Sequence, residues 1–154
     1  EKSYYLYVGR VSKEKNLEAF FDLDLEFPKF VVGEGPQFKE YKKKYPSINF
    51  LGYKYGKELA EIYSKARVMV FPSLTDTFGL VMLEANACGT PVAGYPVTGP
   101  IDVISQGKNG FYAKDLKAAV EKAEKINSEG CVAFASQFSW DQVTKDFINT
   151  LIRI

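Results

Sequence analysis

Val68-Met69-Val70-Phe71-Pro72-Ser73-Leu74-Thr75-Asp76-Thr77-Phe78-Gly79-Leu80-Val81-Met82-Leu83-Glu84-Ala85 passes from an apolar run, through a proline and a polar loop, to a helical pattern opened by a glycine. A buried strand that feeds a loop and then a helix start presents backbone N–H groups at the carboxyl edge of a sheet. Open α/β sheets bind anionic ligands at that edge. Two carboxylates frame the helix start, Asp76 before it and Glu84 within it, with seven residues between them. They can grip hydroxyls around an anion, so a ligand both phosphorylated and rich in hydroxyls, such as a nucleotide sugar, suits the arrangement.

The same alternation runs outward in both directions. Strands are expected over 4–8, 30–32, 48–51, 68–71 and 91–93, with a short apolar pair at Phe111-Tyr112 after the turn signal Asn109-Gly110. Asn16 reads as the N-cap of a helix carrying Leu17, Ala19, Phe20 and Phe21, and Pro36 as the first turn of a helix through Tyr41 to Lys44. Further helices are expected over 57–65, 79–88 and 101–105, over 116–126 behind the cap Asp115, over about 129–136, and over 140–154 behind Ser139. Gly89 within Ala87-Cys88-Gly89-Thr90-Pro91 reads as a helix C-cap. Strands and helices alternating at short spacing mean βαβ units. The fold class is α/β, a single Rossmann-like domain over 1–154 with a parallel sheet between helices. The last expected helix carries Trp140, Val143, Phe147, Ile148, Leu151 and Ile152, and no element precedes the first strand. Both ends lead us to expect half of a larger protein.

Composition narrows the chemistry. The 154 residues suffice for one sizeable core, and 46% hydrophobic with 25% charged residues is ordinary for a globular protein. A net charge of +1 lacks the basic excess of a nucleic-acid binder. The basic run at 39–44 reads first as a solvated helix face, with an acidic membrane surface as its second reading. No stretch approaches the length of a membrane span, and the opening residues do not form a signal peptide. Cys88 and Cys131 read as reduced thiols. The chain has no histidine, which excludes Ser-His-Asp and Cys-His systems within it. Any catalysis rests on carboxylates, cations and backbone dipoles.

Gly9-Arg10 follows the first strand, so Arg10 and Lys15 fall at the ligand edge, where a guanidinium fork and an ammonium point charge can clamp a diphosphate. A solvated loop is the competing reading, and Lys13 is taken as solvent-facing. Gly33-Glu34-Gly35-Pro36 starts like a dinucleotide fingerprint but has Phe38 in place of the third glycine. It reads equally as a plain turn and as one that lets a ligand approach the backbone. Glu84 stands among Val81, Met82, Leu83, Ala85 and Ala87. A carboxylate there is expensive to bury unless paired or ligand-bound, which marks it as functional.

Taken together, Gly9-Arg10 with Lys15-Asn16, Val32-Gly33-Glu34-Gly35-Pro36, Phe50-Leu51-Gly52 and the run from Phe71-Pro72-Ser73 to Thr90-Pro91-Val92 resemble the group 1 glycosyltransferases, glycosyltransferase family 4. Thr75-Asp76-Thr77-Phe78-Gly79-Leu80-Val81 and Tyr95-Pro96-Val97-Thr98-Gly99-Pro100-Ile101-Asp102 look most like its GDP-mannose-dependent α-mannosyltransferase and glycolipid glycosyltransferase members. The resemblance implies the C-terminal, donor-binding half of a GT-B fold, with an N-terminal acceptor domain outside this chain. It implies a retaining transfer of sugar from a nucleoside-diphosphate sugar, GDP-mannose or a UDP-sugar, to the hydroxyl of an acceptor sugar or glycolipid. No metal or other cofactor is expected for donor binding.

By the same resemblance Arg10 and Lys15 contact the diphosphate, Phe78, Gly79 and Leu80 supply backbone contacts, and Glu84 binds the ribose. Asp76 faces the donor sugar, where the family usually has a glutamate. Thr98-Gly99 stands where the family often has Gly-Gly. Donor-binding residues are thus expected at Gly9, Arg10, Lys15, Gly33, Gly35, Asp76, Phe78, Gly79, Leu80 and Glu84, with Asp76, Arg10 and Lys15 serving the reaction. Base choice is expected to depend on the backbone near 52–54 and 33–36. A cytoplasmic location follows, with peripheral contact at the cytoplasmic membrane face expected of the full-length protein. A nicotinamide-dependent oxidoreductase and a catalytically inactive nucleotide-binding or scaffold domain of the same fold stay as alternatives.

Overall fold

Tyr4–Val8, buried along its whole length, forms the central strand β1 of a six-stranded sheet. The computed structural model describes residues 1–75 and 79–138. The other strands are β2 (Lys29–Val32), β3 (Asn49–Gly52), β4 (Ala66–Phe71), β5 (Val92–Gly94) and β6 (Gly110–Tyr112). Their spatial order is β3-β2-β1-β4-β5-β6 and every pairing is parallel. The order reverses between β1 and β4, which makes the carboxyl ends of those two strands the topological switch point.

The helices are α1 (Leu17–Phe21), α2 (Phe38–Lys44), α3 (Gly56–Lys65), α4 (Leu80–Ala87), α5 (Pro100–Val103), α6 (Leu116–Ala123) and α7 (Ser128–Ala135). Period-two alternation sends Tyr5, Tyr7, Val68 and Val70 to a core shared with α1, α2 and α6. Tyr4, Leu6, Met69 and Phe71 go to the opposite core, with Tyr63 of α3 and Met82 and Ala85 of α4. With both faces covered, the central strands are apolar throughout rather than alternating with polar residues.

Several boundaries move from their sequence positions for identifiable reasons. Asn16 precedes α1 in a left-handed conformation (φ 54°) without capping it; its Nδ2 donates instead to the Pro72 carbonyl at 3.0 Å. Pro36 lies ahead of α2 rather than in it, because the Gln37 N–H is drawn to the Val11 carbonyl. The strand expected over 48–51 starts one residue later, since the Ile48 N–H bonds Tyr45 in the turn leaving α2. The strand expected over 91–93 is likewise displaced by one residue, to Val92–Gly94. Helix α6 ends at Ala123 because Lys125 and Ile126 bond three residues back, tightening the last turn. Asp115 caps α6 as expected, accepting from the Lys117 and Ala118 N–H groups. After α4, the N–H groups of Gly89 and Thr90 bond Asn86 and Ala85, closing a Schellman motif. The expected helix over 140–154 lies outside the described residues.

Asn109, read from sequence as a turn residue, is fully buried. Its Nδ2 donates to Asn86 Oδ1 and the Val103 carbonyl, and its Oδ1 accepts from the Ser105 N–H at 2.7 Å. Asn86 Nδ2 donates in turn to the Thr90 and Asn109 carbonyls. This pair of amides ties α4, α5 and β6 together. Asn109→Ala strands three partners at once and is expected to lower stability by about 2–4 kcal/mol, read as a lower denaturant midpoint at unchanged m-value.

Burial pushes the Cys131 thiol up to about 11 and, aided by Glu124, the Tyr5 phenol up to about 12. The unfolded chain sheds the thiol proton near its ordinary value of about 8.5. The folded state therefore holds these protons longer than the unfolded one. Stability is expected to be unaffected by these groups at neutral pH and to fall as pH rises from about 9 through 11 to 12. Urea unfolding as a function of pH measures this, and Cys131→Ala should flatten its first part.

Candidate functional site

Three loops converge at the carboxyl edge of the sheet. Ladder hydrogen bonds continue past the strand ends: Gly9 N–H to Val32, Val11 N–H to Glu34, Gln37 N–H to Val11 and Gly33 N–H to Gly52. The loop after β2 consequently lies directly on the loop after β1. A Cβ on Gly33, whose φ is +118°, would sit 2.0 Å from the Gly9 carbonyl oxygen, and one on Gly35 would sit 2.3 Å from that of Val11. The close approach these glycines permit is thus made by the chain's own backbone, and both still line the cavity that follows.

That cavity, of about 650 Å³, opens between Gly9-Arg10, the 33–36 turn, Tyr53 to Tyr55 and the α4 residues Val81 and Glu84. A second, of about 350 Å³, shares Val8, Gly9, Arg10 and Val81 with it and adds Lys15, Gly79 and Leu80. The structure thereby brings together all the described residues expected to bind a donor: Gly9, Arg10, Lys15, Gly33, Gly35, Gly79, Leu80 and Glu84. Asp76 and Phe78 lie outside the described residues. A third cavity, of about 620 Å³ and lined by Lys108, Lys122 and Lys125, belongs to the opposite end of the sheet and takes none of these residues.

Local structure explains each placement. Arg10 is exposed on a loop held from below: the Tyr7 hydroxyl donates to the Arg10 carbonyl at 2.9 Å. Lys15 closes a short 3-10 turn (Lys13–Lys15) and is half-buried, while Lys13 faces solvent. Between the cations stands Glu14. The Ser12 hydroxyl, first, and the Arg10 and Lys15 charges after it hold its carboxyl below the usual range. Gly79 precedes α4 with φ +70°, a left-handed conformation in which a side chain would also meet Met82 and Phe71. At the start of α4 the Met82 N–H turns back to the Gly79 carbonyl, and the N–H groups ahead of it carry the positive end of the helix dipole.

Glu84 departs from its expected environment. It is exposed, not buried, because Met82, Ala85 and Asn86 take the core side of α4. Burial cost therefore gives no reason to single it out; its position on the cavity does. Its Oε2 accepts a hydrogen bond from the buried Tyr63 hydroxyl at 2.9 Å. Burial, and then the Glu84 carboxylate, push the Tyr63 phenol far up, and the same two causes raise the Cys88 thiol. Tyr7, Tyr55, Leu59 and Tyr63 went unmarked in the sequence. The aromatic-lysine-aromatic triplet Tyr53-Lys54-Tyr55 after a strand was the available signal; its rings stack at 6.0 Å and both are exposed.

Parallel order and a switch-point cleft lined by two cations define an open, doubly wound α/β domain, a class that binds ligands at that crevice. The profile of the "Glycosyl transferases group 1" family matches residues 1–131. The chain belongs to that family. It is 34% identical over 137 residues to a GDP-mannose-dependent alpha-mannosyltransferase of Corynebacterium glutamicum, covering 82% of this chain and 33% of that protein. A sulfoquinovosyl transferase of Arabidopsis thaliana is 35% identical over 120 residues, covering 72% and 23%. Anabaena HepE, solved in complex with UDP, superposes with a TM-score of 0.78 at 19% identity, covering 97% of this chain and 48% of HepE. The fold is that of the Rossmann-like half of GT-B enzymes. This chain spans less than half the length of each of these proteins.

Gly33→Ala tests the loop packing. The added methyl cannot coexist with the Gly9 carbonyl, so the 33–36 turn must lift. The expected result is a loss of at least about 2 kcal/mol in stability, with faster amide exchange at Gly9 and Val11 in hydrogen-exchange NMR.

Proposed function

We propose that this chain is the donor-binding domain of a retaining glycosyltransferase that moves a sugar from a nucleoside-diphosphate sugar to an acceptor hydroxyl. One observation carries the reading: Arg10, Lys15, the N-terminus of α4 and Glu84 line two connected cavities at the switch point. The diphosphate takes the smaller cavity and the nucleoside the larger. Arg10 and Lys15, with the α4 N–H groups, stabilise the leaving diphosphate as its charge develops. Glu84 accepts from the ribose hydroxyls. Asp76 orients the sugar and favours its oxocarbenium-like state.

The corynebacterial relative supports GDP-mannose as donor, and the UDP complex of HepE supports a nucleoside diphosphate more generally. Donor binding without a metal, an acceptor domain N-terminal to this chain, a cytoplasmic location and peripheral membrane contact are parts of the same proposal. Among the described residues no helix is long and apolar enough to cross a membrane.

Thermal-shift and calorimetric titration with GDP, UDP, ADP and NAD test the reading. A nucleoside diphosphate at a hundredfold excess over its Kd should stabilise the fold by about 2.7 kcal/mol, with the same affinity in EDTA. Arg10→Ala and Glu84→Ala should each weaken binding about tenfold or more, through loss of a charge-assisted hydrogen bond. Absence of any shift up to millimolar nucleoside diphosphate would sink the proposal, and a shift with NAD alone would replace it with the oxidoreductase alternative.

A further inference from the structure

Tyr63 is 1% exposed, and its hydroxyl donates the hydrogen bond that the Glu84 carboxylate accepts among the described residues. Helix α3 runs from the ligand edge at Gly56 to the far edge at Lys65. Side chains on a helix lean toward its N-terminus, so the Tyr63 ring reaches back toward the cavity from below. Its base is anchored: the Thr90 hydroxyl donates to the Tyr63 carbonyl at 2.5 Å, and the Tyr4 hydroxyl to the Ile62 carbonyl at 2.7 Å. Both carbonyls lie in the last turn of α3, and that of Tyr63 also accepts from the Ala66 N–H that closes the helix. The ring is therefore fixed by core packing and its helix by two further hydroxyls. A phenylalanine would fill the same volume, so the core gives no reason for the hydroxyl. Its acceptor, an exposed three-torsion carboxylate, does.

We propose that Tyr63 is a positioning residue for ribose recognition, pinning Glu84 Oε2 so that Oε1 is held ready for the ribose hydroxyls. This rests on the donor-nucleotide reading above. Burial keeps the phenol protonated, so it donates across the whole physiological pH range. Without it, each nucleotide must order the Glu84 side chain on binding, which weakens affinity about three- to tenfold.

Calorimetry of this chain with GDP and 2′-deoxy-GDP, and with UDP and 2′-deoxy-UDP, tests the role. The unaltered chain should prefer the ribonucleotide. Tyr63→Phe should weaken the ribonucleotide about three- to tenfold and leave the deoxynucleotide nearly unchanged, shrinking the preference toward that of Glu84→Ala. In the Glu84→Ala background, Tyr63→Phe should have no further effect on binding; a merely structural role would weaken binding in both backgrounds and overturn the inference. Should Tyr63→Phe fail to fold, 3-fluorotyrosine placed at position 63 decides. It keeps the shape and strengthens the donor, so a changed ribose preference supports the role and an unchanged one overturns it. Ribose preference intact in folded Tyr63→Phe removes Tyr63 alone. No binding of either nucleotide by the unaltered chain removes the donor reading, and this inference with it.

Discussion

The backbone contact between the loops after β1 and β2 is the constraint on which the site depends. Gly33 and Gly35 meet the Gly9 and Val11 carbonyls at distances that leave no room for a methyl group. Because the ladder bonds run on through both loops, the position of Arg10 is set by strand register rather than by the loop's own preferences. The diphosphate clamp we propose for Arg10 needs its cation placed to within a fraction of an ångström, and an unrestrained loop gives no such accuracy. The second tie, from Asn16 Nδ2 to the Pro72 carbonyl, links the β1 loop to the β4 loop across the switch point. Both walls of the cleft are thus referred to one sheet.

The two acidic and basic sides of the cleft are held by different means. Arg10 is exposed, and what is controlled is its backbone, through the Tyr7 hydroxyl. Glu84 is also exposed, and what is controlled is its side chain, through the Tyr63 hydroxyl. In each case a buried tyrosine spends its ring on the core and its hydroxyl on the ligand edge, the use to which amphipathic aromatics are suited. The polar pins come from inside the fold, so they do not compete with water. Glu14 bears on the proposed clamp, since the charges of both cations already act on its carboxylate. An anionic ligand must share them, and the Ser12 hydrogen bond keeps Glu14 anchored while it does.

The strands and most helices were legible because each is a short apolar run punctuated by Gly, Pro or Asn, and the parallel sheet follows from their alternation. The cations were legible because a charged pair after the first strand of such a sheet can only fall at its carboxyl edge. Asn109 does stand in the turn its dipeptide signals, but what the Asn16 and Asn109 side chains bind was not legible, for one reason: an asparagine's local turn chemistry is visible in sequence, while a carbonyl or amide fifty or twenty residues away is not. Glu84 lines the cleft, but not in the environment its neighbours suggested. Its apolar neighbours suggested burial, but a helix surrounded by apolar residues still has one side facing the cleft.

The amino-acid sequence alone determined the fold class, the order of elements and the loops that carry charge, because periodicity, turn residues and the switch-point rule act locally or topologically. Tertiary structure alone decided which face of α4 meets the cleft, which glycines serve packing, and which buried hydroxyls steady Arg10 and Glu84. Those outcomes depend on contacts between residues far apart in the chain, such as Tyr63 with Glu84 and Gly33 with Gly9. Their distances are fixed only when both halves of the sheet pack around a common core.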